Sequence, residues 1–203
     1  RDGIILKKLV ELAGGGAGVI TVITVAAEDP QGVGRGYVKV FAKMGVKDVV
    51  ALDIEAREAA NRQSVVDRIL GSTAVFFTGG DQLRITSILG GTPVYHALHR
   101  GYQGGVLIAG TSAGAAVMSD NMIVGGFGDK TPQGRLLNMA PGMGLLEEVV
   151  IDQHFAQRGR LGRLLMAVAQ NPFILGVGID EDTAIQAPFA PARISSREVR
   201  WPS

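Results

Sequence analysis

Residues 19–25 read Val-Ile-Thr-Val-Ile-Thr-Val, a β-branched run with no polar face, and they follow directly on a cluster of glycines. A strand of that kind has to be covered on both sides, as an interior strand of a parallel sheet is when helices pack on each face. The segments after it repeat the theme. Residues 37–44 carry a helical pattern closed by Gly45, residues 48–52 read as strand, residues 64–70 as helix closed by Gly71, and residues 74–77 as strand. Helical patterns at 83–89 and 94–100, a strand at 106–109 and a helix at 113–119 continue the alternation. A strand at 149–152, a helix at 161–170 stopped by Asn171 and Pro172, and a last strand at 177–179 complete it. Ahead of them all, Ile4, Ile5, Lys7, Lys8, Leu9 and Leu12 form a mixed apolar and basic helix, ended by Gly14, Gly15 and Gly16. Such units imply right-handed crossovers and an α/β sandwich of three layers, a parallel sheet between helices. Chemistry in these sheets gathers at the carboxyl ends of the strands.

Glycine makes up 29 of the 203 residues, about twice its usual share, and falls at the punctuation points between segments, as many short connections require. With neither internal repeat nor linker, one domain over residues 1–203 is expected. Residues 120–145, rich in Gly, Pro and Asn, read as the one long irregular stretch. Charge points to no large polyanionic partner: 20 Lys and Arg against 19 Asp and Glu leave a net charge of +1, so neither nucleic acid nor membrane is expected. The absence of cysteine removes disulfides, thiolate nucleophiles and Cys-bearing zinc sites. No apolar stretch approaches the roughly 20 residues of a membrane span. The cytoplasm is the expected address, with a removed leader peptide as the alternative because the chain opens on Arg1.

Gly110-Thr111-Ser112-Ala113-Gly114 is a G-x-S-x-G sequence lying between an apolar strand and an alanine-rich run. A nucleophile elbow needs that placement: the turn from strand to helix is sharp, its flanks must be small, and the serine hydroxyl projects outward. The helix beyond aims unpaired N–H groups at the serine, favouring negative charge on an attacked carbonyl. The bland alternative is a tight turn with a capping serine. Three histidines could serve as base. His96 and His99 sit three apart in one helix, where partly packed or solvated imidazoles are the ordinary expectation, whereas His154 lies just past a strand end at the edge where the elbow opens. An orienting carboxylate would come from Asp180, Glu181 or Asp182 after the last strand, and spacing does not choose among them. The N–H of Ala113, with those of Gly79 and Gly80 after the 74–77 strand, could form an oxyanion hole. The order Ser, His, acid differs from the Ser, acid, His of α/β-hydrolases.

Arg158, Arg160 and Arg163 follow His154 closely and read as an anion-binding wall, since guanidinium forks suit carboxylates. Asp152 and Gln153 could partner a cationic group. Two glycine clusters are decoys. Gly14, Gly15, Gly16 and Gly18 lie between helix and strand, the reverse of a dinucleotide fingerprint. The run from Gly125 to Thr131 only approximates a phosphate loop, with Asp129 in place of the glycine before Lys130. The three histidines lack metal-ligand spacing, so no metal is expected.

Four separated motifs together carry a resemblance: Phe76-Phe77-Thr78-Gly79-Gly80-Asp81-Gln82, the run from Ala109 to Met118, Asp152-Gln153-His154-Phe155, and Gly178-Ile179-Asp180-Glu181-Asp182-Thr183. In this order they resemble the cyanophycinases, serine exopeptidases related to aspartyl dipeptidases on a class I glutamine amidotransferase-like (flavodoxin-like) sheet. The resemblance covers residues 2–185. It implies Ser112 as nucleophile, His154 as base and Glu181 as orienting acid, with Gln82, Asp152, Gln153, Arg158, Arg160 and Arg163 lining the substrate pocket. It implies cyanophycin, a polyaspartate carrying arginine on each β-carboxyl, as substrate and β-aspartyl-arginine dipeptides as product, with no cofactor. Another β-aspartyl peptide is the alternative substrate, and a homodimer is an open alternative to a monomer. A dipeptidase of the same family and an inactive peptide-binding homologue are the competing functions. Relative to the family pattern the chain starts after the usual first strand and its Gly-Gly-x-Glu-Asp-Lys loop, and its end departs after Ile185. A domain incomplete at both ends is therefore expected.

Overall fold

A computed structural model describes residues 3–125 and 137–187. Helix α1 (Ile4–Leu12) leads into strand β1 (Val19–Ile23), followed by α2 (Pro30–Lys43), β2 (Asp48–Leu52), α3 (Gln63–Leu70) and β3 (Ala74–Phe77). After α4 (Gln82–Leu89) and α5 (Pro93–Gln103) come β4 (Leu107–Gly110) and the single turn α6 (Ala113–Ala116). The chain closes with β5 (Asn121–Gly125), β6 (Asn138–Pro141), β7 (Val149–Gln153), α7 (Leu161–Gln170) and β8 (Leu175–Ile179).

The central sheet is parallel, in the order β2-β1-β3-β4. Its two middle strands divide their side chains between layers. Ile20 and Val22 of β1, with Ala74 and Phe76 of β3, meet Leu9 and Val10 of α1 and Phe41 of α2. Ile23, Val75 and Phe77 face the other way, onto Val66 and Ile69 of α3 and Val94, Ala97 and Leu98 of α5. Every one of these side chains is buried, which is the environment an unbroken apolar strand demands. The fold is thus α/β with helices on both faces of a parallel sheet. Polar caps start α2 and α4: Asp29 accepts from Gly32 N–H at 2.9 Å ahead of Pro30, and Asp81 accepts from Leu83 N–H at 2.8 Å.

Three expectations change. The parallel strands do not make one sheet: β7 and β8 pair with each other, in parallel, apart from the central four. Among the described residues β7 packs against α6 and β5 and makes no ladder with β4, because the chain leaves β4 through a tight turn and puts those elements in the way. The stretch at 120–145 is partly regular, since β5 and β6 pair antiparallel, Met122 opposite Ala140. Each strand is short and carries Asn and Gly or Pro, so its composition reads as loop while cross-strand pairing makes it sheet. The helix expected at 113–119 ends at Ala116, where Met143 N–H takes the Val117 carbonyl at 2.7 Å and Leu145 N–H takes that of Met118 at 2.9 Å. Residues 126–131 of the phosphate-loop decoy and residues 188–203 lie outside the described part.

Candidate active site

The elbow is built by backbone contact. Strand β4 lies beside β3, and the chain reverses into α6 so tightly that a Cβ on Gly110 would stand 2.1 Å from the Gly114 carbonyl oxygen, and one on Gly114 would stand 2.4 Å from that of Phe77. No larger residue fits either position. Between them Ser112 is held at φ 52°, ψ −115°, a conformation L-residues seldom adopt. Its side chain caps nothing on α6 and instead meets His154, whose Nε2 lies 2.9 Å from Oγ.

His154 is one residue beyond β7 and is itself at positive φ, 50°. Its Nδ1 lies 3.0 Å from Oε1 of Glu181, two residues beyond β8. Parallel pairing of β7 with β8, Gln153 opposite Ile179, brings these two strand ends together. Of the three acids left open by spacing, Glu181 faces the imidazole, while Asp180 turns to the Ala156 N–H at 2.8 Å. With Nδ1 as donor to the carboxylate, Nε2 is left as acceptor for the serine proton.

Gly79 abuts the serine: a Cβ there would lie 3.2 Å from Ser112 Cβ and 3.7 Å from Oγ. Among the described residues the N–H groups of Gly79, Gly80 and Ala113 have no backbone acceptor. Beside Gly80 a recess of about 460 Å³ is lined by Ala26, Glu28, Gly80, Asp81 and Arg84, charges of both signs.

The remaining residues of interest divide. Asp152 is 1% exposed, and its carboxylate is gripped by Arg163 through Nε at 2.6 Å and through Nη2. Arg160 reaches Asp152 at 3.3 Å, the Gln153 side chain at 2.9 Å and the Gln153 carbonyl. Burial and the neighbouring Arg163 both pull the Arg160 pKa below the usual guanidinium value, with Asp152 opposing. The cationic partner of Asp152 and Gln153 is thus the chain's own arginine pair, which keeps a net positive charge. Arg158 is exposed, and Gln82 donates to the Ile123 carbonyl at 2.9 Å, joining α4 to β5. His99 engages the Met143 carbonyl at 2.7 Å and His96 stacks edge-on to Tyr95, far from the elbow in role. Sequence reasoning passed over Gln157, whose Oε1 accepts from Glu181 N–H at 3.1 Å, and the ring of Phe155 lying on Gly178. A signal for the latter was available, because glycine inside a strand often marks close approach of another group.

The family model for peptidase family S51 matches residues 4–188, more than half of the chain. The chain belongs to peptidase family S51. Within it, the chain is 46% identical over 180 residues to a cyanophycinase of Nostoc sp. (strain PCC 7120), and 42% identical over 180 residues to one of Geminocystis herdmanii. These alignments take in 88% of this chain and 60% and 66% of the relatives, so the S51 chain spans somewhat under two thirds of the curated relatives it matches. Among solved structures it is similar to a peptidase from an acI-B1 Actinobacterium, with a TM-score of 0.67, 22% identity and coverage of 88% of this chain and 74% of that one. A putative peptidase E protein from Listeria monocytogenes EGD-e superposes with a TM-score of 0.58 at 19% identity, over 84% of this chain and 83% of that one. At those identities the two structures speak for the fold, which is the flavodoxin-like, amidotransferase-like sandwich of S51 peptidases. Among the described residues no helix of this S51 chain is long and apolar enough to cross a membrane.

Proposed function

We propose that the chain carries the catalytic site of a serine exopeptidase that degrades cyanophycin, with Ser112 as nucleophile, His154 as general base and Glu181 as orienting acid. The observation that carries this reading is the continuous line from Ser112 Oγ to His154 Nε2 at 2.9 Å and from His154 Nδ1 to Glu181 Oε1 at 3.0 Å. It is the arrangement by which a weak hydroxyl nucleophile is activated. In the first step Ser112 Oγ bonds to the scissile carbonyl carbon while its proton passes to His154 Nε2. The resulting oxyanion accepts from the N–H groups of Ala113 and Gly79, with Gly80 alongside. Collapse expels the amine, which takes the proton from His154; water, deprotonated by the same imidazole, then attacks the acyl carbon, and His154 returns that proton to Ser112 Oγ as the acid departs. Glu181 holds the tautomer and stabilises the imidazolium.

The substrate is proposed from the relatives' name and from charge. A polymer bearing a guanidinium and a carboxylate on each repeat meets both signs here: the Arg158, Arg160 and Arg163 guanidiniums with N–H groups not spent on Asp152 and Gln153, and the Glu28 and Asp81 side chains of the recess by Gly80. Gln82 and Gln153 border the proposed pocket, and Asp152, buried beneath Arg160 and Arg163, orients their guanidiniums. Release of β-aspartyl-arginine requires cutting the polyaspartate backbone amide and leaving the arginine isopeptide bond intact. Mass spectrometry of soluble products after incubation with cyanophycin tests the reading. A β-aspartyl-arginine peak that disappears with Ser112→Ala is the expected result. Binding of the polymer without products would mark a non-cutting homologue, and cleavage of free dipeptides alone would mark a dipeptidase.

A further inference from the structure

Neither His154 nor Glu181 is placed by regular secondary structure. One stands just past the end of β7 in a left-handed conformation, the other just past the end of β8. Their side chains are 25% and 48% exposed, and an ion pair that open to water contributes little toward holding its own geometry. The alignment of the imidazole must come from its surroundings.

The surroundings are laced. Beyond the last ladder position, Phe155 N–H continues the pairing to the Ile179 carbonyl at 3.1 Å. The Phe155 ring lies on Gly178, where a Cβ would stand 2.6 Å from ring carbons, so the two segments touch as closely as glycine permits. Then come two bonds running in opposite directions: Ala156 N–H to the Asp180 carboxylate at 2.8 Å, and Glu181 N–H to Gln157 Oε1 at 3.1 Å. In these two bonds each segment gives the other one main-chain donor and one side-chain acceptor, and the His154 to Glu181 contact belongs to the same crossing.

We infer that Gln157 and Asp180 are positioning residues that fix Glu181 against His154 and so keep the imidazole aimed at Ser112. The inference rests on the serine-nucleophile reading above. Asp180 holds the base segment through Ala156, and Gln157 holds the acid segment through Glu181 itself. Neither touches Ser112, so both act on the geometry of the pair. A misalignment of the order of 1 Å in a reacting group can cost about a hundredfold in rate, which is the scale on which two such bonds matter.

The test compares the whole chain with Gln157→Ala, Asp180→Ala and Asp180→Asn by steady-state kinetics on cyanophycin, by the rate at which a small fluorophosphonate labels Ser112, and by the proton NMR signal of His154 Nδ1–H. The fluorophosphonate needs an activated serine and no substrate pocket. Each alanine variant is expected to lower kcat by about 10- to 100-fold with KM unchanged, to slow labelling in proportion, and to broaden or abolish the Nδ1 proton signal. Asp180→Asn keeps an acceptor oxygen for Ala156 and is expected to recover most of the loss. Labelling rate and proton signal unchanged in both alanine variants would overturn the inference, as would an Asp180→Asn variant as slow as Asp180→Ala. Both side chains are exposed, so the core is untouched. Should Asp180→Ala unfold, Gln157→Ala decides by the same readouts. If the unmodified chain is neither labelled at Ser112 nor active, the nucleophile reading itself fails, and positioning fails with it.

Discussion

Ser112 and His154 are 42 positions apart, meet at 2.9 Å, and both hold positive backbone φ, 52° and 50°. Two strained residues facing one another across a contact signify that the surrounding fold over-determines them, and such strain gathers where geometry serves function.

The strain gives a prediction about stability. Ser112→Gly relieves a conformation that costs an L-residue about 1–3 kcal/mol, while Ser112→Ala does not. Urea denaturation should find the glycine variant more stable than the alanine variant, and both without peptidase activity. An alanine variant as stable as the glycine variant would show the serine backbone to be relaxed.

The elbow is intolerant on either side of the serine. Gly110→Ala or Gly114→Ala would drive a methyl group to within 2.4 Å of a carbonyl oxygen or closer. Losses of about 3 kcal/mol or more are expected in chemical denaturation, the range reserved for named steric failures.

Asp152 is the anion that keeps two arginines underground. Asp152→Ala would leave the Arg160 and Arg163 side chains, 9% and 10% exposed, without their carboxylate. Breaking a buried pair by removing one partner costs about 3–5 kcal/mol. The Tm of this variant should drop by several degrees, and a change within the error of the scan would mean that the guanidiniums find water instead.

Glu181→Gln tests the role proposed for Glu181. The amide can present N–H to Nδ1 and favour the wrong tautomer, an exchange that costs about 10⁴ in the best-studied serine triad. Half exposure of Glu181 should soften the loss, so a fall in kcat of about 10²–10⁴ at unchanged KM is expected.

Much of the sandwich is legible one residue at a time. Residues 19–25 and 74–77 can only be interior strands, because no face of them tolerates water, and the structure buries them between α1 and α2 on one side and α3 and α5 on the other. The start of α2 was less visible: helical periodicity begins at Tyr37, yet the helix begins at Pro30, set by the Asp29 cap despite glycines at 32, 34 and 36. The β5 and β6 strands were not visible at all, since antiparallel pairing depends on a partner elsewhere in the chain and not on the local pattern.

The same division runs through the site. Residue order and size alone determined that a serine between Gly110 and Gly114 sits on a turn from strand to helix, because small flanks are a local steric requirement. Which acid meets His154, and that Arg160 and Arg163 close on Asp152, were decided by tertiary structure. Those contacts depend on the register of β7 against β8 and on the left-handed conformation of His154 after β7, and side-chain direction at a strand end is undefined until both partners are in place.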